Sequence, residues 1–222
     1  MTDVVKQRVS AGVYDFFMNP LEYLRLSRIR RVLLARAAGE VLEIGAGSGV
    51  NLRYYRPDTI RSLTVSDRDD RTLLYRDRGR MLQENGSRLP FATAVIDAQT
   101  LPFPDNSFDT VVATLVFCSV ECAPCGFEEI VRVLRPGGRY LFLEHVRPSR
   151  TLAARVFDAI NPVWNRISGG CNLNRDTLGA IRDAGFTVTV GDSAERIEHG
   201  VFVWGEAHLN GTGRQDQREE PS

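Results

Sequence analysis

The chain has 222 residues, 43% of them hydrophobic and 25% charged, and its 28 basic and 28 acidic side chains cancel to a formal net charge of zero. That length suits one α/β domain with a real core rather than two large ones, and the neutral balance lacks the basic footprint of a dedicated nucleic-acid binder. Residues Met1 to Arg8 hold no apolar signal core, and no uncharged apolar run is long enough to span a bilayer. A cytoplasmic protein is therefore expected, with its cysteines as thiols.

From the N-terminus, Pro20 to Ala38 carries Leu21, Leu24, Ile29, Val32 and Leu33 between arginines, which approximates a helical period. A first strand is predicted over Val41 to Ile44, a helix over Val50 to Tyr55, and a β-rich run from Arg61 to Ser66 ending at Asp67. A helix over Arg71 to Leu82 precedes a third strand, Phe91 to Ile96, which ends at Asp97. Thr110 to Cys118 reads as an apolar fourth strand. Phe127 to Leu134 reads as a helix closed by Arg135-Pro136-Gly137-Gly138, and Arg139 to Glu144 as a fifth strand. Leu152 to Ile167 is helical with a break at Pro162. Asn174 is the expected N-cap of a helix from Arg175 to Ala184, stopped at Gly185. Phe186 to Val190 and Val201 to Ala207 close the pattern as two strands with no helix between them. Alternating strands and helices argue a parallel sheet, and that last pair argues an antiparallel addition. Residues 1–209 thus form one domain, and the polar segment 210–222 is expected as a disordered tail.

The most informative stretch is Val41-Leu42-Glu43-Ile44-Gly45-Ala46-Gly47-Ser48-Gly49. A buried strand ending in a glycine turn is the cofactor end of a doubly wound sheet, where a ligand can approach bare backbone. A dinucleotide fingerprint requires Gly or Ala at the sixth position counted from Gly45. That position is Val50, and the third glycine comes one residue early, at Gly49. Asp67 follows the turn by about 20 residues, where an acid in such sheets binds ribose hydroxyls. It is favoured over Asp69 and Asp70 because it is the first residue past the apolar run.

The form Glu-x-Gly-x-Gly-x-Gly resembles motif I of the class I S-adenosylmethionine-dependent methyltransferases. The segments Leu101-Pro102-Phe103-Pro104-Asp105-Asn106-Ser107-Phe108-Asp109 and Leu134-Arg135-Pro136-Gly137-Gly138 resemble two further signatures of that family, in order and at family spacing. The resemblance implies an α/β, Rossmann-like, seven-stranded and mostly parallel sheet with helices on both faces and an antiparallel last strand. It implies S-adenosylmethionine as cofactor. It implies cofactor contacts from Tyr14, Glu43, Gly45, Ala46, Gly47, Gly49, Asn51, Asp67, Arg68, Asp97, Ala98 and Leu115, with Asp97 and the Ala98 amide at the adenine.

Phe117-Cys118-Ser119-Val120, Glu144-His145-Val146 and Gly170-Cys171-Asn172-Leu173-Asn174-Arg175 resemble the bacterial relatives of the microsomal alkyl-thiol methyltransferases of animals. That likeness implies a small-molecule acceptor, a thiol among the candidates, met by Tyr14, Cys118, His145, Trp164, Cys171 and Asn172. His145 is the candidate general base, since an imidazole titrates near neutrality. No nucleic-acid partner, no metal and no required membrane contact are expected, and the chain is expected as a monomer or homodimer. A phospholipid N-methyltransferase, with the arginine-rich helix at a membrane surface, and a cofactor-binding protein without turnover are the alternative readings. Cys118, Cys122 and Cys125 also have the spacing of an iron–sulfur ligand set. That reading is set aside because the glycine turn precedes them and Cys118 ends an apolar strand.

Overall fold

The computed structural model describes residues 26–68, 91–148, 151–168, 170–191 and 202–209. Its strands are β1 (Gly39–Ile44), β2 (Ile60–Asp67), β3 (Phe91–Val95), β4 (Phe108–Thr114), β5 (Leu134–His145), β6 (Phe186–Val190) and β7 (Phe202–Leu209). Its helices are α1 (Ser27–Leu34), α2 (Ala123–Val133), α3 (Thr151–Ile167) and α4 (Thr177–Asp183), with a 3₁₀ turn at Val50–Tyr54. The seven strands form one sheet in the order β3-β2-β1-β4-β5-β7-β6. β1 pairs in parallel with β2 and β4, β2 with β3, and β4 with β5. β7 runs antiparallel to both β5 and β6. The expected architecture is the observed one.

Side-chain alternation divides the core between the two faces of this sheet. Leu42, Ile44, Val111, Ala113, Tyr140 and Phe142 pack with Phe127, Ile130 and Val133 of α2 and Ile181 of α4. Val41, Val112, Leu141, Leu143 and Trp204 point the other way, onto Ile29, Leu33 and Leu34 of α1. Each fully buried side chain of this size contributes about 1.5–3 kcal/mol. The central strands therefore read as nearly continuous apolar runs, with Val41 to Ile44 all buried.

Tyr140 is an exception inside that core. It is fully buried among Phe117, Phe127, Phe142 and Phe186, and among the described residues its hydroxyl has no hydrogen-bond partner. Burial pushes its phenol pKa up. An unsatisfied buried hydroxyl costs about 1–3 kcal/mol, so Tyr140→Phe is expected to stabilise the fold by about 1 kcal/mol. A lower urea midpoint for the variant would show that the hydroxyl has a partner after all.

Several expectations need correction. β4 ends at Thr114 rather than Cys118, because Leu115 takes a left-handed φ of 60° and the chain turns. The Glu144 carboxylate draws that turn in, accepting from the amides of Val116 (3.1 Å), Phe117 (3.0 Å) and Cys118 (3.4 Å). α3 runs unbroken through Pro162. Pro162 lies on the exposed side of the helix, where water can serve the carbonyl that its ring leaves without an N–H. Asp176, not Asn174, caps α4 by accepting from the Gly179 amide at 2.9 Å. Asn174 instead donates to Asp158.

The four cysteines are not all thiols. Cys122 and Cys125 form a disulfide across the first turn of α2, their Cα atoms 5.4 Å apart. The expectation rested on compartment, whereas local helix geometry brings these two sulfurs together. The predicted helix at 71–82, Tyr14, Asp69, Asp70 and the tail at 210–222 lie outside the described residues.

Candidate functional site

The glycine turn sits at the C-terminal end of β1, in the middle of the sheet. Gly45, Gly47 and Gly49 have φ values of 66°, 54° and 68°, a region that a side chain resists. The Ala46 amide donates to Ser66 O (2.9 Å) and the Gly49 amide to Ala46 O (2.9 Å), which ties the turn to β2. Asp67, at the end of β2, accepts from the Gly47 amide at 2.7 Å. The predicted ribose acid and the predicted turn are thus in direct contact, while Arg68 beside them is exposed.

Beneath the turn lies a buried polar network. Glu43 and Asn51 are 0% and 1% exposed. Asn51 Nδ2 donates to Glu43 Oε1 (2.8 Å) and Thr114 Oγ1 (3.0 Å), and Tyr55 donates to Glu43 Oε2 (2.9 Å). Arg30 Nη1 donates to Asn51 Oδ1 (2.5 Å) and Thr114 Oγ1 (2.7 Å). Burial raises the Glu43 pKa, with the Tyr55 and Asn51 hydrogen bonds and the Arg30 charge opposing it. Sequence reasoning missed Arg30 and Tyr55. The signal was present for Arg30: Leu26, Ile29, Arg30, Leu33, Leu34 and Ala37 are the buried stripe of this segment. An arginine in phase with an apolar stripe faces the core, and when buried there it needs a polar partner.

Asp97 and Ala98 stand past the end of β3. Asp97 Oδ1 accepts from the Gln99 amide (2.9 Å) and Nε2 (3.0 Å), which lowers the carboxyl pKa. Leu115 is half-buried at the end of β4, and its amide donates to Leu143 O at 2.7 Å.

The acceptor-side candidates among the described residues also converge. Cys118, His145 and Cys171 are 1%, 2% and 1% exposed. Cys171 Sγ is 3.6 Å from His145 Nδ1, and the His145 ring lies 4.4 Å from that of Phe202. Asn172 holds this group together: its amide (2.8 Å) and Nδ2 (3.0 Å) both donate to Cys118 O. Trp164 packs with Phe157 over Cys118, Cys171 and Leu173. Arg175, quoted in the acceptor-side motif but given no role of its own, donates to Phe117 O (2.6 Å) and Val120 O (2.5 Å). The Cys118 hydrogen bond and the His145 ring pull the Cys171 thiol down to about 5 against the cost of burial. The Cys118 thiol is pushed up by that same contact and by its own burial. Burial carries Glu144 up to about 8, opposed by its three backbone amides.

A family profile described as a methyltransferase domain matches residues 42–142. Thiol S-methyltransferase TMT1B of Mus musculus is 33% identical over 82% of this chain and 78% of its own length. The chain belongs to the class I S-adenosylmethionine-dependent methyltransferases. Thiol S-methyltransferase TMT1A of Homo sapiens is 32% identical over 66% of this chain, and the match spans 59% of that protein. The ubiquinone/menaquinone biosynthesis C-methyltransferase UbiE of Azotobacter vinelandii is 32% identical over 75% of this chain and 63% of its own length. Among solved structures, an S-adenosylmethionine-dependent methyltransferase of Thermotoga maritima has a TM-score of 0.62 and 20% identity, covering 95% of this chain and all of its own.

The family's cofactor is S-adenosylmethionine, and the residues present fit it. Among the described residues a Cβ built on Gly47 meets nothing within 4 Å, so the turn opens onto space that a side chain would fill. Asp67 and Asp97 border the same sheet end. A carboxylate hydrogen bond contributes about 1.5–3 kcal/mol, so Asp67→Ala is expected to weaken S-adenosylhomocysteine by that amount in calorimetry. Equal losses from Asp69→Ala and Asp70→Ala would show that the ribose acid is misassigned.

Proposed function

We propose that this protein transfers a methyl group from S-adenosylmethionine to the sulfur of a small, partly apolar thiol in the cytoplasm. The observation that carries the reading is the buried group Cys118, His145 and Cys171, braced by the half-buried Asn172, one turn beyond the cofactor-side residue Leu115. An apolar wall of Phe157, Trp164 and Leu173 suits an apolar acceptor. The relatives named thiol S-methyltransferases support the choice of sulfur. Gly45 to Gly49, Asp67, Asp97 and Ala98 bind and orient the cofactor, which supplies a methyl on a positively charged sulfur. The displacement is in line, and holding the two sulfurs on one axis provides much of the rate. The acceptor must lose its proton first, because a thiol of ordinary pKa is only a few per cent thiolate at neutral pH. The chemistry of that proton centres on the Cys118–His145–Cys171 group.

A carbon acceptor is the second reading, favoured by the C-methyltransferase relative. A panel of alkyl thiols, phenols, amines and quinol-type rings with isotopically labelled methyl donor separates the two. Thiols are expected to lead. A phenol, amine or ring carbon that outruns every thiol would refute the acceptor and leave the methyltransferase reading intact. No turnover across the panel, with intact S-adenosylhomocysteine binding, would favour a binding protein. Among the described residues no helix is long and apolar enough to cross a membrane.

A further inference from the structure

Three separate segments each deliver one soft donor to the same buried point. Cys118 follows β4, His145 ends β5, and Cys171 lies in the loop after α3. The two sulfurs and the ring nitrogen all lie within 4.8 Å of one another. Zinc bonds of about 2.3 Å to sulfur and 2.0 Å to nitrogen set tetrahedral ligand atoms roughly 3.5–3.8 Å apart. The Cys171 Sγ to His145 Nδ1 separation of 3.6 Å already matches. We propose that Cys118, His145 and Cys171 bind a zinc ion, as a three-ligand set whose fourth position takes the sulfur of the acceptor. This rests on the thiol reading above.

The surroundings favour a cation over simple packing. Among the described residues the two thiols hydrogen-bond to each other, Cys118 Sγ also meets Ser119 Oγ at 3.6 Å, and Cys171 Sγ meets His145 Nδ1 at 3.6 Å and the Trp164 ring. A cation would satisfy all three at once. Two thiols and an imidazole select zinc rather than magnesium or calcium, which take oxygen ligands. The nearby Glu144 carboxylate is engaged by the amides of Val116, Phe117 and Cys118. Those bonds fix the Cys118 backbone, and Asn172 fixes the Cys171 segment against it. Metal sites are oriented by such outer contacts. Three protein ligands with an open position are the hallmark of a zinc that works on a substrate.

The chemistry balances. The acceptor thiol joins the zinc as a thiolate and gives its proton to water. Its sulfur lone pair then forms the new carbon–sulfur bond as the methyl–sulfonium bond breaks. The products are a thioether, S-adenosylhomocysteine and one released proton. The neutral thioether is a poor ligand and leaves.

The test uses the full chain, stripped with chelator and reloaded with zinc or cobalt(II). After gel filtration about one zinc per chain is expected. Cys118→Ser, Cys171→Ser and His145→Ala should each retain less than about a tenth of that, since even a lost outer-shell partner costs about tenfold or more in metal affinity and a lost ligand costs more. The Cys122→Ser/Cys125→Ser double variant should retain it in full. Cobalt(II) in the unmodified chain should show intense near-ultraviolet thiolate charge-transfer absorption, and ethanethiol should shift its visible bands. Absent charge transfer would overturn the site, even where the variants fail to fold. So would equal zinc in a Cys118→Ser/Cys171→Ser chain. Bands that ignore ethanethiol would overturn the acceptor position. S-adenosylhomocysteine calorimetry on the same samples separates the two levels. A chain that binds it without metal loses only this inference, and one that binds neither loses the methyltransferase reading as well.

Discussion

Gly47→Val is expected to fold and to lose S-adenosylhomocysteine affinity by at least about 100-fold, or roughly 2.7 kcal/mol. Among the described residues the added Cβ meets no atom within 4 Å, so none of them opposes it sterically. Its cost to the fold is the left-handed backbone, φ 54°, about 1–2 kcal/mol for a residue with a side chain. The isopropyl group would stand in the space over the turn and deny it to the cofactor. Gly45 offers the opposite control. A Cβ there would lie 2.5 Å from Val116 Cγ2, so Gly45→Ala should act on stability. Paired urea unfolding and calorimetry separate the two positions. Normal cofactor binding by a folded Gly47→Val protein would mean that the ligand does not cross this turn.

Asn51→Ala is expected to destabilise the fold by about 3–5 kcal/mol, through buried charges that lose a partner. Asn51 lies between the Arg30 guanidinium and the Glu43 carboxylate, at 2.5 and 2.8 Å. Its removal leaves the Glu43 Oε1 atom without that donor in a fully buried site. Such a loss is a large part of the stability of an ordinary domain, typically about 5–15 kcal/mol. Urea unfolding measures it directly. A loss below about 1 kcal/mol would show that water replaces the amide, since a satisfied group pays no desolvation penalty.

Much of the fold was legible because its signals are local. The apolar runs of β1, β2 and β3, the glycine turn and the acid at Asp67 all declare themselves within a few residues. What was illegible depends on groups distant in sequence. Nothing near Leu115 says that β4 stops there, because the carboxylate that turns the chain is Glu144. Asp176 prevailed over Asn174 as a cap because Asn174 was taken by Asp158 on α3. Cys118, His145, Cys171 and Asn172 were named from three separate segments, and nothing in one dimension says that the first three share one buried point. Glu43 and Asn51 were read as cofactor contacts from the motif alone. Their polar atoms turn inward to Arg30, Tyr55 and Thr114, which no motif contains.

The position of β7 bears on how the chain comes to be folded. β7 is last in sequence yet lies inside the sheet, between β5 and β6. While the chain is being synthesised, β6 emerges with no strand to pair with, and the β5 edge stays open beside it. Neither edge closes until residues 202–209 have appeared. The β3–β2–β1–β4–β5 portion can assemble on the ribosome in the order it is made, whereas the last two strands dock together or not at all. Exposed edges of this kind invite pairing with other chains, so the interval before β7 is complete is when a nascent copy has most need of a chaperone.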